Sequence, residues 1–240
     1  MKKLLTLLAL GVASVQAKNF SFTYSVFAGV SNSGFKGDIN EKTILNDLIK
    51  SGKLEEDKIK EIEKLNDKQK IEVSKGISKE FEEITENKTG MIFGGIIGTS
   101  YKLSDSTSAG LEAGLLYSMA QYEQSALQTE TKKSLIWTFG PNFTYNINSK
   151  FSVSLAANML LNKLTLANGF GYTRHLGFGP KLSADYMFTK YFGATVFAGY
   201  FFFPGSKNVK KDGKEIEEFK SIKIKHKNMF AAGAGFVAKL

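Results

Sequence analysis

Hydrophobic and polar residues alternate with a period of two along eight stretches of this chain. Side chains of a β-strand point alternately to its two faces, so each stretch predicts a strand with one apolar face. In the last stretch Phe230, Phe236 and Leu240 share one face, opposite small residues and Lys239. The predicted strands cover residues 20–30, 91–103, 109–121, 135–147, 151–161, 176–188, 192–202 and 230–240.

The connections between these strands alternate in length. Residues 104–106, 148–150 and 189–190 are tight polar turns, whereas the long connections are 35–88, 122–133, 162–174 and 204–227. An even number of meandering strands favours an up-and-down barrel, because closure removes exposed strand edges. Short turns at one end and long loops at the other are typical of transmembrane β-barrels, with the turns and both termini on the periplasmic side. The sequence therefore predicts an all-β fold, an eight-stranded antiparallel up-and-down transmembrane β-barrel.

The aromatic residues favour an apolar face that points outward into lipid, although inward apolar faces occur in soluble barrels and aromatics are common in any strand. Those near the tight turns are Tyr101, Tyr145, Tyr186 and Phe192, and those farther along the strands are Phe93, Trp137, Phe178, Tyr117 and Tyr200. Each residue of the first group has a partner from the second group eight residues away on the same strand. Eight residues span roughly 26 Å along a strand, or about 20 Å across a membrane once the strand is tilted. Two aromatic girdles are therefore predicted. Pro141 lies on the same face and should weaken its strand, because it cannot donate a ladder hydrogen bond.

The opposite faces hold Gly, Ser, Thr and Asn, which are too small and polar for the core of a soluble barrel. They also carry five charged residues, predicted to lie in the lumen: Lys102, Glu112, Lys181, Asp185 and Lys239. An eight-stranded barrel has an interior just wide enough for side chains, so these charges should pair inside it. The predicted pairs are Glu112 with Lys181, and Asp185 with Lys102 or Lys239. This prediction favours a plugged barrel over an open channel.

Composition restricts the chemistry that the chain can perform. It contains 20 Phe, 9 Tyr and 23 Gly, which suit half-apolar strands, and no Cys, which excludes disulfides and thiolate metal sites. The net charge of +9 is spread over many segments, so we do not expect nucleic-acid binding. Two histidines offer little for a metal site, and no cofactor is predicted.

The start of the chain predicts export. Lys2 and Lys3 precede an apolar stretch from Leu4 to Val15, and the small Ala17 suits signal peptidase. The alternative, a membrane anchor, is disfavoured because spanning takes about 20 apolar residues. We therefore predict a signal peptide over 1–17 and an exported barrel domain over 18–240.

Residues 36–88 form a charged insert that differs from the rest of the chain. Three apolar stripes at helical spacing lie in it, around residues 44–49, 59–65 and 77–84. They predict two or three amphipathic helices in the first extracellular loop, displayed towards a host or neighbouring surface molecule; a solvated, partly disordered charge run is the alternative.

The fourth long connection is basic. It carries Lys207, Lys210, Lys211, Lys214, Lys220, Lys223, Lys225 and Lys227. These lysines suit contact with lipopolysaccharide phosphates or another anionic surface, or they are simply solvated.

The signal peptide, the eight alternating strands and the terminal strand with Phe230, Phe236 and Leu240 together resemble the small outer-membrane β-barrel proteins of Gram-negative bacteria, the OmpA-like, OmpX-like or porin-like family. The resemblance covers the exported part except its long first loop. It implies a place in the outer membrane among its lipids, and a terminal strand recognised by the barrel-assembly machinery. That signal usually ends in Phe, whereas this chain has Leu240.

Three functional hypotheses follow. The first is a structural or surface-interaction barrel, and the second is a narrow porin-like channel for small solutes. The third is a lipid A-modifying enzyme, but the only histidines are His175 and His226, beside cationic neighbours that make them poor bases. No phosphate loop, zinc spacing or serine elbow is visible, so we expect no enzyme.

Overall fold

Eight long antiparallel strands form most of the protein in the computed structural model. It describes residues 19–39, 56–73, 75, 88–125, 128–165, 170–208, 210–211, 214–215 and 222–240. The predicted signal peptide and the apolar stripes at 44–49 and 77–84 lie outside these residues.

The long strands close into a barrel. They are β1 (Phe20–Ser33), β3 (Lys88–Lys102), β4 (Thr107–Ser125), β5 (Gln128–Asn146), β6 (Phe151–Thr165), β7 (Phe170–Met187), β8 (Phe192–Phe201) and β13 (Met229–Lys239). Each pairs with its neighbour in this order, and β13 pairs with β1 to complete the ring. The predicted eight-stranded up-and-down barrel is therefore confirmed.

One end of the barrel, hereafter the turn end, carries the three predicted tight turns. All three have the same construction, in which the main-chain N–H of Leu103, Ile147 or Phe188 donates to a carbonyl four residues later at 2.9 Å. The chain end meets β1 here, because Leu240 and Phe22 exchange main-chain hydrogen bonds of 2.9 and 3.0 Å.

The opposite end, hereafter the loop end, differs from the prediction. Strands β4 and β5 continue to Ser125 and Gln128, and β6 and β7 continue to Thr165 and Phe170. The predicted long loops at 122–133 and 162–174 were therefore mostly wrong. Ladder hydrogen bonds involve only the backbone, so pairing persists beyond the point where polar residues interrupt the hydrophobic alternation.

A small second sheet lies beyond the loop end. Its strands are β2 (Phe35–Ile39), β12 (Ile222–His226) and β9 (Ser206–Asn208), with β12 in the middle. They continue β1, β13 and β8, and Lys227 N–H donates to the Gly34 carbonyl at 2.8 Å where two of these junctions meet. The short strands β10 (Lys210–Lys211) and β11 (Lys214–Glu215) extend the edge of β7. Part of the predicted fourth loop is thus strand.

The described part of the insert contains two short helices. Helix α1 spans Glu56–Lys64, and a second, α2, covers residues 67–73. Asn66 and Gln69 form a capping box at the start of α2, each main-chain N–H donating to the other's side-chain oxygen at 3.0 Å. Within the described residues, no helix combines the length and apolar character needed to cross a bilayer.

Pro141 interrupts the sheet locally, as its chemistry requires. The β5–β6 register passes from the Phe139 and Met159 pair to the Asn142 and Ala156 pair, omitting Gly140 and Pro141. Proline lacks the N–H that the β6 side of the ladder would use. The barrel tolerates the gap because β4 still pairs with Pro141 on the other side.

Candidate functional site

The inward face of the barrel is divided into an apolar half and a polar half. The apolar half, hereafter the plug, lies towards the loop end. It consists of Phe27, Ile92, Ile96, Leu116, Ile136, Leu160, Phe197, Phe201, Phe203, Met229 and Ala231. The sequence analysis described the inward face by its small, polar and charged residues, and that description does not hold for this half.

Glycines make room for the large rings of the plug. A Cβ on Gly177 would lie 2.6 Å from the Phe203 ring, and one on Gly233 would lie 2.7 Å from the Phe197 ring. Carbon atoms in contact need about 3.5 Å, so any side chain at either position would displace a ring. The inward glycines thus allow aromatic rings to fill a barrel too narrow for large residues on every strand.

The polar half contains a cavity of about 150 Å³ near the turn end. Hydroxyl side chains of every barrel strand except β13 line it, together with Asn142, Asn146 and four charged residues, Glu112, Lys181, Asp185 and Lys239. Within the part of the chain that the structure describes, no group of His, Asp and Glu side chains could hold a metal ion.

The four charged residues form two ion pairs. Lys181 Nζ lies 2.7 Å from Glu112 Oε1, and both side chains are almost fully buried, with exposures of 9% and 8%. Asn158 Nδ2 donates to the same carboxylate oxygen at 2.9 Å. The second pair is more accessible: Lys239 Nζ lies 3.1 Å from Asp185 Oδ2, at exposures of 27% and 12%.

Lys102, the fifth residue predicted to lie in the lumen, lies elsewhere, and that prediction was wrong. It is exposed at the β3–β4 turn, where its Nζ lies 2.7 Å from Asp105 Oδ1. The hydrogen bond and charge of Lys102 lower the pKa of the Asp105 carboxyl from its ordinary value. Lys102 is the last residue of its strand, so its side chain reaches the nearer turn carboxylate instead of Asp185.

The two histidines meet over the plug. His175 and His226 are buried, their ring centroids 6.3 Å apart, and Phe203 stacks on His226 at 4.0 Å. His175 Nε2 lies 2.9 Å from the Pro204 carbonyl oxygen, and His226 Nδ1 is hydrogen-bonded to the Lys227 carbonyl. Residues 51 positions apart in the sequence thus fix the β8–β9 corner over the barrel.

The residues predicted to form aromatic girdles all lie on the outward face. Eight are exposed by 42 to 53% and Tyr117 is half-buried. Phe93 contacts Tyr117 across two strands at the loop-end level, with ring centroids 5.1 Å apart. Nearer the turn end, Phe192 stacks on Phe236 of the terminal strand at 5.5 Å. Phe230, Phe236 and Leu240, predicted as the assembly signal, are likewise exposed.

Sequence reasoning missed two features. The plug was missed because its aromatics stand among glycines on faces that are mostly small. The outward position of Lys133, Lys163 and Arg174 was missed because strand ends were taken for loops. Continuing the alternation from Leu135 to Lys133, from Leu161 to Lys163 and from Leu176 to Arg174 identifies the outward position of all three cations.

Comparisons with known proteins found similar solved structures but no similar sequence family. No family model and no curated protein sequence matches this chain. Among solved structures, it is similar to the outer membrane protein OprG from Pseudomonas aeruginosa, at 12% identity and a TM-score of 0.45, covering 93% of this chain and 97% of OprG. It is also similar to Neisserial surface protein A, at 12% identity and a TM-score of 0.46, and the match covers 92% of this chain and 97% of that protein. A third similar structure is that of Ail, the attachment invasion locus protein of Yersinia pestis, in complex with the heparin analogue sucrose octasulfate. Its sequence identity is 12% and its TM-score is 0.35, and the match covers 90% of this chain and 98% of Ail.

Proposed function

We propose that this chain is an integral outer-membrane β-barrel protein with a structural and surface-interaction role. The observation that carries the proposal is the outward apolar face of the barrel. Val26, Ile97, Leu115, Phe139 and Phe236 are each exposed by 45 to 62%, and every barrel strand contributes such residues. Soluble monomers rarely expose an apolar patch of more than a few hundred Å², whereas a closed barrel in lipid requires one.

The two ends of the barrel support an orientation with the loop end outside the cell. Short turns face the periplasm in transmembrane barrels, and the longer connections extend outward. The sheet beyond the loop end then displays exposed lysines at positions 207, 223 and 225 to the surroundings, and the exposed Lys227 follows directly after β12. These cations, together with the helical insert, are the surface that we propose meets lipopolysaccharide or a host or neighbouring surface molecule.

Single cysteines test both location and orientation, because the chain contains none. Asn208→Cys lies in β9 beyond the loop end, and Lys190→Cys lies in a tight turn; both positions are exposed. A membrane-impermeant maleimide on intact cells should label Asn208→Cys, and label Lys190→Cys only after the outer membrane is opened. The reverse pattern would invert the orientation, and the absence of both variants from the outer-membrane fraction would refute the proposal.

The plug supports a closed barrel over the narrow channel that we also considered. Its apolar side chains fill the loop half of the lumen, and dry apolar constrictions oppose the passage of ions. We expect no unitary conductance in planar bilayers. A Phe197→Ala, Phe201→Ala double variant is the matched test, because it removes two rings of the plug. Conductance of the unmodified protein would favour the channel instead.

Lipid modification is the third hypothesis, and we expect the barrel to lack it. Mass spectrometry of lipid A from cells with and without the intact gene measures it directly. A mass change that depends on the protein would reverse this expectation.

A further inference from the structure

Three cationic side chains lie on adjacent strands near the loop end, and all three are exposed: Lys133 on β5, Lys163 on β6 and Arg174 on β7. Lys163 pairs with Leu135, and Lys133 pairs with Thr165. Residues on one face at such diagonal positions are roughly 7–8 Å apart. Lys133 and Lys163 are therefore neighbours on the outward face.

A β-bulge places Arg174 beside them. The β6–β7 register passes from Asn162 opposite His175 to Leu164 opposite Tyr172, so residues 173 and 174 both lie opposite Lys163. Arg174 has a φ of 67°, and it is the one non-glycine residue with positive φ in the described part of the chain. Bulges commonly redirect a side chain, and non-glycine residues adopt this conformation at a free-energy cost. The backbone thus adopts an unfavourable conformation at the point where a third cation joins the other two.

The three cations lie at the edge of the outward apolar face of the barrel, on the side away from the turn end. Leu161, two residues before Lys163, and Leu176, two residues after Arg174, are exposed on the outward face, and Trp137 is a diagonal neighbour of Lys163. The barrel strands have two carboxylates among their described side chains, Glu112 on β4 and Asp185 on β7, and both point inward and are paired with lysines. Among the described side chains, therefore, no carboxylate neutralises the three cations.

We propose that Lys133, Lys163 and Arg174 bind a phosphate group on the headgroup of a lipid in the surrounding outer leaflet. Arginine holds phosphate through two parallel N–H donors, and lysine adds flexible charge at the edge of an apolar surface. The adjacent exposed leucines and Trp137 would contact the acyl chains of the same lipid, and a soluble phosphate has no such part. The inference rests on the proposed membrane location and adds a residue-level lipid site to it.

Trp137 provides the measurement, because it is the only tryptophan of the chain and adjoins Lys163. The full barrel is reconstituted in bilayers of phosphatidylcholine with brominated acyl chains, which quench tryptophan fluorescence on contact. Unbrominated lipid is then added, and recovery of fluorescence reports its displacement of the brominated lipid from Trp137. The probes are diphosphorylated lipid A and the same lipid with both phosphates removed. Excess inorganic phosphate is added in a separate arm.

We expect diphosphorylated lipid A to displace the quencher at a lower mole fraction than the dephosphorylated lipid does. A Lys163→Gln, Arg174→Asn variant should weaken this selectivity by about tenfold or more, since charged hydrogen bonds to phosphate are lost. Asparagine tolerates the left-handed conformation, so the bulge can persist. Lys163→Arg should keep the selectivity, and so should Lys150→Gln, a control at an exposed turn on the opposite end.

Two results would overturn the inference: equal displacement by both lipids, or unchanged selectivity in the Lys163→Gln, Arg174→Asn variant. Competition by inorganic phosphate would assign the cations to soluble phosphate instead of lipid. Heat-modifiable migration on gels identifies any variant that fails to fold, in which case the single Lys163→Gln variant replaces it. Absence of quenching by the brominated bilayer alone would refute the membrane location itself, so the two failures are distinguishable.

Discussion

Replacing Glu112 by Gln should destabilise the barrel strongly, because it leaves the Lys181 ammonium buried without its counter-charge. The two side chains are at most 9% exposed and their charged atoms are 2.7 Å apart. Removing one partner of a buried ion pair costs about 3–5 kcal/mol. Water in the adjoining cavity of about 150 Å³ would solvate part of the remaining charge, so we expect the lower end, about 3 kcal/mol.

The assay is unfolding by urea in micelles, followed by Trp137 fluorescence, with a double-mutant cycle of Glu112→Gln and Lys181→Met. The double variant should recover most of the lost stability, since neither charge then remains buried. Asp185→Asn is the matched comparison. Its partner Lys239 is 27% exposed, so the loss should be nearer 1 kcal/mol.

Two outcomes would refute this reasoning. If Glu112→Gln and Lys181→Met destabilise additively, the residues do not act as a pair. If Glu112→Gln lowers the free energy of unfolding by no more than Asp185→Asn does, burial in the lumen does not determine how much these ion pairs contribute to stability.

Further predictions concern the plug and the turn end. Gly177→Ala should destabilise the barrel by about 1–3 kcal/mol in the same unfolding assay, because its methyl group would lie 2.6 Å from the Phe203 ring. Gly98→Ala, whose methyl group would meet nothing nearer than 3.6 Å, should leave stability unchanged or raised. Lys102→Gln should return the pKa of Asp105 upward to its ordinary value, measured by NMR titration. Because the folded-state pKa is lowered, the small stabilisation by this contact is present above the ordinary pKa and is lost as pH falls through the lowered one. An unchanged Asp105 titration in Lys102→Gln would contradict this explanation.

The barrel itself could be predicted from the sequence because both of its signals are local. Alternation within a strand requires only the two-residue period of the backbone, and a tight turn requires only a few polar residues between two strands. Glu112 and Lys181 also pair as predicted, since both lie on inward faces and an eight-stranded interior has little space in which to separate them.

The plug and the grouping of the three loop-end cations could not be predicted in the same way, because both depend on relations between strands. Phe203 lies inward, but the space it fills is created by Gly177 on β7, which the sequence does not place next to it. Alternation from Leu176 already places Arg174 on the outward face, but its position opposite Lys163 depends on a bulge in the pairing of β6 with β7. The alternation of residues along one strand reveals neither of these contacts between strands.

The plug also explains how three short strands can form an ordered sheet beyond the barrel. Strands β2, β9 and β12 have only five, three and five residues, and such a sheet has little stability alone. Phe203 immediately precedes the β8–β9 corner and stacks on His226, the last residue of β12, while Lys227 bonds to Gly34 at the β1–β2 junction. All three strands are thus fixed where they leave the barrel, and part of that fixation comes from the apolar half of the lumen. The side chains that close the lumen therefore also position the surface that we propose meets other molecules.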